Sequence, residues 1–272
     1  MRRAKRAVLV ATGLLIGLYA AIAIGLALGQ GPLIYPAPRG QGAMAGGFEA
    51  VGYRTEDGLD LAAGYRAAQQ GKPTILYFHG NGTDWTSSII ATDRMVPEGY
   101  GVLAAEYRGY RGNPGSPSEQ GLYRDGRAAL RFLEREGVGP SQVVMIGNSV
   151  GTGVAAQLAS ETTPAALILI SPFASLSQLV GEKMWWLPTG LLLRDRYDTL
   201  TTLERVEAPI LLMHGDADTL IPHAHSEQLA AKKAGAELAI FPGIGHDLAW
   251  HPAAEDRALA FMERATGSGK SD

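Results

Sequence analysis

Six short runs, at 74–78, 101–105, 142–146, 166–170, 209–213 and 237–241, are apolar at almost every position and are separated by helical segments at 87–96, 119–136, 150–161, 223–234 and 252–264. A strand that is apolar at every position, rather than at every second one, is buried on both faces, and helices covering both sides of a parallel sheet produce that environment. Ahead of this series, 48–54 and 59–66 read as two strands joined by Glu56-Asp57-Gly58, whose Asp-Gly pair favours a hairpin turn. The expected fold class is therefore α/β: a mostly parallel sheet with helices on both faces and an antiparallel start. The 272 residues fit one such domain at 48–266, followed by a tail at 267–272. Hydrophobic residues make up 46% of the chain and charged residues 19%, which supplies a large core and excludes wholesale disorder.

The N-terminus carries a separate signal. Arg2, Arg3, Lys5 and Arg6 precede an uncharged apolar stretch over 7–29. As a helix that stretch spans about 34 Å, enough to cross a hydrocarbon layer of about 30 Å. The basic cluster, with no further cation until Arg39, places the N-terminus in the cytoplasm and the domain on the far side, periplasmic or lumenal. A cleaved signal peptide is the competing reading, because Ala27-Leu28-Gly29 offers small residues at a cleavage spacing, and it would make the protein secreted. Residues 30–47, rich in Gly, Pro and Ala, read as a linker. A net charge of −3 with scattered basic residues elsewhere argues against a nucleic-acid partner. Absence of cysteine removes disulfides, thiolate metal sites and a cysteine nucleophile.

Chemistry concentrates at the ends of the apolar runs. Gly147-Asn148-Ser149-Val150-Gly151 lies between the strand at 142–146 and the helix at 150–161, where flanking glycines permit a tight turn that lifts the serine hydroxyl above the sheet. The pattern alone is weakly specific; its position between strand and helix gives it weight. The helix N-terminus adds positive potential where an oxyanion would form. A serine hydroxyl needs a base, and the base needs an orienting partner. Such elbows are followed in chain order by acid and then histidine.

Of the histidines after Ser149, His246 sits in the glycine-rich loop Pro242-Gly243-Ile244-Gly245-His246-Asp247, which gives an imidazole the freedom to reach across the strand ends. His214 closes a strand and reads as a structural hydrogen-bonding residue, whereas His223, His225 and His251 at helix starts read as solvated surface. For the acid, His214-Gly215-Asp216-Ala217-Asp218 offers two aspartates. Asp218 is preferred, since Asp216 is equally placed to fix the bend as a turn residue. Asp247 reads as a local cap. The amide of Val150 and that of Asn81, in His79-Gly80-Asn81-Gly82 after the strand at 74–78, are placed to form an oxyanion hole. A long apolar connection over 172–206, with Trp185, Trp186 and Leu191, reads as a lid of short helices. His223 and His225 lack companion ligands at a recognised spacing, so no metal or cofactor is expected.

These segments, with Tyr107-Arg108-Gly109-Tyr110 and Gly115-Ser116-Pro117-Ser118-Glu119, run in unbroken order through 48–264 and resemble the α/β-hydrolase superfamily, in particular its bud-emergence-protein-like branch. Members of that branch commonly carry an N-terminal transmembrane anchor. The resemblance implies that the acid is Asp218, and that relatives include lysophospholipid lipases and protein depalmitoylases. The Tyr-Arg-Gly-Tyr segment then reads as a shaping loop beside the pocket. The expected activity is hydrolysis of an ester or thioester, of a small-molecule or acyl-chain substrate, by a membrane-anchored serine hydrolase. The alternatives are a serine peptidase of the same fold and a non-catalytic scaffold that retained it.

Overall fold

A computed structural model describes residues 2–38 and 46–267. The centre of the expected linker, 39–45, and the tail beyond Gly267 lie outside the described residues. The chain begins with α1 (Arg2–Leu28), which is exposed along most of its length, and a one-turn α2 (Gln30–Ile34). Strands β1 (Glu49–Arg54) and β2 (Asp60–Arg66) form the expected antiparallel hairpin. There follow β3 (Thr74–Phe78), α3 (Trp85–Ile90), β4 (Gly101–Ala105), α4 (Glu119–Arg135), β5 (Val143–Asn148), α5 (Val150–Glu161) and β6 (Ala166–Ile170). Helices α6 (Leu176–Lys183), α7 (Thr189–Leu192) and α8 (Thr199–Leu203) occupy the long connection. The chain closes with β7 (Ile210–Gly215), α9 (Ala224–Lys232), β8 (Glu237–Phe241) and α10 (Pro252–Thr266).

Among the described residues the strands form one sheet in the order β1-β2-β4-β3-β5-β6-β7-β8, antiparallel through β2–β4 and parallel from β4 onward. Each central strand feeds two cores at once. Leu76, Phe78, Val143 and Met145 pack on the side of α4 and α5, whereas Ile75, Tyr77, Val144 and Ile146 pack on the side of α3 and α10. That alternation explains why almost every position in these strands is apolar.

Two segments depart from expectation. The helix expected at 87–96 ends at Ile90. Its hydroxyls bond backbone carbonyls, Ser87 to Asp84 and Thr92 to Ser88, and the chain continues in tight turns such as Thr92 N–H to Ile89 O. The first residues of the expected linker are instead helical and docked. Gln30 donates through Nε2 to the Leu192 carbonyl and accepts from the Arg194 amide, and the Tyr35 hydroxyl meets Asp195 and Tyr197 at 2.8 Å each. Farther back, the Tyr19 hydroxyl donates to the Trp186 carbonyl at 2.9 Å. Ala20, Ala23, Leu26, Ala27 and Gln30 are the residues of this segment that lose exposure, and their spacing of three and four gives α1 one contact face. The connection at 172–206 and the end of α1 thus form one packed unit.

Candidate active site

The elbow at Ser149 is set by sterics on both sides. Ser149 has φ +53°, a left-handed backbone conformation that costs a non-glycine residue on the order of 1–3 kcal/mol and is held here by its surroundings. Its amide donates to the Ile170 carbonyl, and its carbonyl accepts from the amide and the hydroxyl of Thr152. The flanking glycines are needed for space rather than for positive φ. A Cβ on Gly147 would lie 2.5 Å from the Gly151 carbonyl oxygen, and one on Gly151 would lie 2.1 Å from that of Phe78. Helix α5 is thereby pressed against the end of β3.

Ser149, Asp218 and His246 follow the carboxyl ends of β5, β7 and β8, the edge at which open α/β sheets bind ligands. The structure brings all three together. His246 Nε2 lies 3.1 Å from Ser149 Oγ, and His246 Nδ1 lies 2.7 Å from Asp218 Oδ2. Because an ionised carboxylate only accepts, Nδ1 carries the ring proton and Nε2 is left to accept from the serine hydroxyl. Burial would raise the Asp218 carboxyl. Hydrogen bonds from His214, His246 and the Ile221 amide outweigh that and hold it well below the usual carboxylate range. The Leu220 amide adds a further bond to Oδ1 at 2.8 Å. Ser149 itself is only 9% exposed.

Asn81 stands opposite the elbow, after β3. Its side chain is fully engaged: Nδ2 donates to the Ile34 carbonyl, and Oδ1 accepts from the Tyr110 hydroxyl at 3.0 Å. Among the described residues, neither the Asn81 nor the Val150 amide makes a turn or loop bond to a backbone carbonyl. The turn that presents Asn81 rests on a buried pair. His79 Nε2 meets Glu106 Oε1 at 2.7 Å, and Nδ1 meets the Gly80 carbonyl at 2.8 Å. Burial alone would lower the His79 pKa, but the Glu106 carboxylate and the Gly80 carbonyl outweigh it and raise it. Tyr107 donates its hydroxyl to the His79 carbonyl, and Arg108 bridges Asp57 of the hairpin turn and Asp125 of α4. The Tyr-Arg-Gly-Tyr segment therefore braces the Asn81 turn.

Other residues singled out from sequence fall as follows. His214 is buried, bonding Ser226 and the Ile221 carbonyl, as its strand-end position predicts. Asp216 accepts from the Gly243 amide and fixes the loop that carries His246. Asp247 occupies the N-cap position of the turn at Leu248–Trp250, but its side chain makes no capping bond, contrary to the expected cap. His223 is partly exposed, and exposed His251 caps α10 through the Ala253 amide. His225 overturns its surface assignment: it is 2% exposed. The Ala174 amide donates to its Nδ1, which leaves the ring proton on Nε2 facing Glu182 of α6, and burial lowers its pKa. Sequence reasoning missed His225 and Glu182, and it missed the His79–Glu106 pair, because each depends on contacts between distant segments. The one local signal was a histidine directly after an apolar strand at residue 79.

A family model described as the alpha/beta hydrolase fold matches residues 73–199. A protein of Mycobacterium tuberculosis is 36% identical over 220 residues, covering 79% of this chain and 78% of its own length. The lysophosphatidylserine lipase of Danio rerio is 29% identical over 184 residues, covering 60% of this chain, which spans 48% of that relative. Among solved structures, an esterase of Pyrococcus furiosus superposes with a TM-score of 0.70 at 19% identity, over 85% of this chain and 97% of the esterase, a likeness of fold alone.

Proposed function

This chain belongs to the α/β-hydrolase family, and we propose that it is a membrane-anchored serine hydrolase that cleaves carboxylic esters or thioesters of acyl-chain substrates through an acyl-enzyme. The observation that carries this reading is the unbroken chain of contacts Ser149 Oγ to His246 Nε2, and His246 Nδ1 to Asp218 Oδ2, at 3.1 and 2.7 Å. Ser149 Oγ attacks the acyl carbonyl carbon as its proton passes to His246 Nε2. The amides of Asn81 and Val150 receive the oxyanion. Collapse breaks the bond to the alcohol or thiol, which leaves with the proton from Nε2. A water then attacks the acyl-serine, giving a proton to His246 Nε2, and that proton passes to Ser149 Oγ as the acyl–Oγ bond breaks and the acid leaves. Throughout, Asp218 fixes the imidazole and stabilises its positive form.

The membrane part of the proposal rests on α1, which is long and apolar enough to cross a bilayer. Contacts of α1 and of the turn that follows it with the lid, Tyr19 with Trp186 and Gln30 with Leu192 and Arg194, favour a retained anchor over a cleaved signal. The basic residues at its start put the N-terminus in the cytoplasm and the catalytic domain across the membrane.

A fluorophosphonate probe and a p-nitrophenyl butyrate assay test the reading together. Wild type is labelled and hydrolyses the ester, whereas Ser149→Ala is unlabelled and loses on the order of 10⁴-fold or more in kcat. Undiminished hydrolysis by Ser149→Ala would sink it.

A further inference from the structure

A cavity of about 410 Å³ lies between the end of the N-terminal helix and the lid, lined among others by Leu26, Ile34, Val180, Met184, Leu187 and Leu192. Its lining includes no charged side chain, and its polar ones are already engaged. Gln30 bonds Ala27, Leu192 and Arg194, and the Thr189 hydroxyl donates to the Ser177 carbonyl. A space of this kind recognises hydrocarbon and little else.

Ile34 lines the cavity and offers its carbonyl to the Asn81 side chain, so one wall abuts the turn that presents the Asn81 amide. Leu26 and Ala27 lie on α1 itself. The lid also reaches down α1: Trp186 bonds Tyr19, nine residues before Leu28, about 14 Å along a helix axis. Counted from Ala7, the first residue after the basic cluster, a hydrocarbon layer of about 30 Å takes about 20 residues and ends near Leu26, so the cavity wall at Leu26 and Ala27 falls at the bilayer boundary. On the same lid Trp185 and Leu191 are 84% and 85% exposed, side chains that water disfavours and a lipid interface accepts.

Resting on the hydrolase reading above, we infer that this cavity is the acyl-chain site, with the membrane helix as one wall and the lid as the other, and that it takes one hydrocarbon chain of a lipid directly from the bilayer. The anchor is then part of the binding site rather than a tether. The polar part of the lipid stays outside the cavity, and the carbonyl at the chain's end reaches the Asn81 turn.

Full-length protein in phospholipid nanodiscs, photolysed with a diazirine analogue of palmitate, reads the site without requiring turnover. The inference predicts crosslinks on lid residues 180–193 in wild type and in Ser149→Ala alike, competed by excess palmitate. Filling the cavity with Met184→Trp reduces the lid crosslinks at least about tenfold, while Ile90→Ser, on an exposed position of α3, leaves them unchanged. Ala27→Phe, from the opposite wall, carries the same expectation should Met184→Trp fail to fold. Crosslinks confined to α1, or equally strong in the filled variants, overturn the inference, and fluorophosphonate labelling of Ser149 in the same samples shows whether the hydrolase reading stands without it. Lid crosslinks that obey the predictions in a protein the fluorophosphonate does not label uphold the acyl site and count against the hydrolase reading alone.

Discussion

Asp218 uses both of its oxygens. Oδ1 accepts the Leu220 and Ile221 amides, and Oδ2 faces His246 at 2.7 Å and His214 at 3.4 Å. Replacing it by asparagine keeps the shape but removes the charge that fixes the His246 proton at Nδ1. Asp218→Asn should therefore fold normally and lose about 10⁴-fold in kcat, as serine hydrolases of other folds do. Steady-state kinetics checks it, and a near-normal rate would mean that another group sets the tautomer. Glu255, at the start of α10, makes a second residue-scale case, away from the site. Burial and the Asp93 carboxylate push its pKa up to about 7, against the partial relief of Arg94 at 3.9 Å. A carboxyl raised in this way keeps its proton in the folded state over pH values where the unfolded chain has released it. Stability consequently falls as pH rises from about 4.5 to about 7. Glu255→Gln should raise the melting temperature at pH 8 by about 2–4 °C, which corresponds to about 1 kcal/mol in a domain of this size, and leave it unchanged at pH 4. Thermal melts at the two pH values decide it.

Among elements, the contact of α5 with β3 fixes the elbow, because Gly151 sits against the Phe78 carbonyl with no room for a methyl group. Gly151→Ala sets backbone against backbone, so neither partner can rotate away. It should destabilise the domain by about 1–3 kcal/mol and lower ester turnover at temperatures where the fold persists. A melting curve with a paired activity assay measures both, and an unchanged melting temperature would show that the turn has slack. The same elements show what a sequence exposes to inspection. Strands at 74–78 and 166–170 are readable because burial on two faces leaves almost no polar position, Thr74 excepted, and the elbow is readable because strand, glycine, serine and helix are contiguous. Contacts between remote segments leave no such local trace. His225 looks like a helix-start histidine until Ala174 and Glu182 close over it. Gln30 looks like linker until Leu192 and Arg194 meet it. The helix after β3 is shortened by hydroxyl-to-carbonyl bonds at Ser87 and Thr92 that compete with continuation, an outcome propensity alone does not decide.

At the scale of the whole molecule, one sheet gathers groups from remote parts of the sequence at its carboxyl edge, and the segment leaving α1 closes over that edge through Ile34 and Tyr35. The N-terminal helix, the connection at 172–206 and the site are linked by contacts, which supports the proposed membrane-resident substrate. The account depends on Ser149 becoming acylated. Rapid-quench mass spectrometry during turnover of an octanoyl thioester tests that most directly. The account predicts an octanoyl adduct on the peptide containing Ser149 in wild type and its absence in Ser149→Ala. An adduct on another residue, or turnover with no adduct and full activity in the alanine variant, would contradict it.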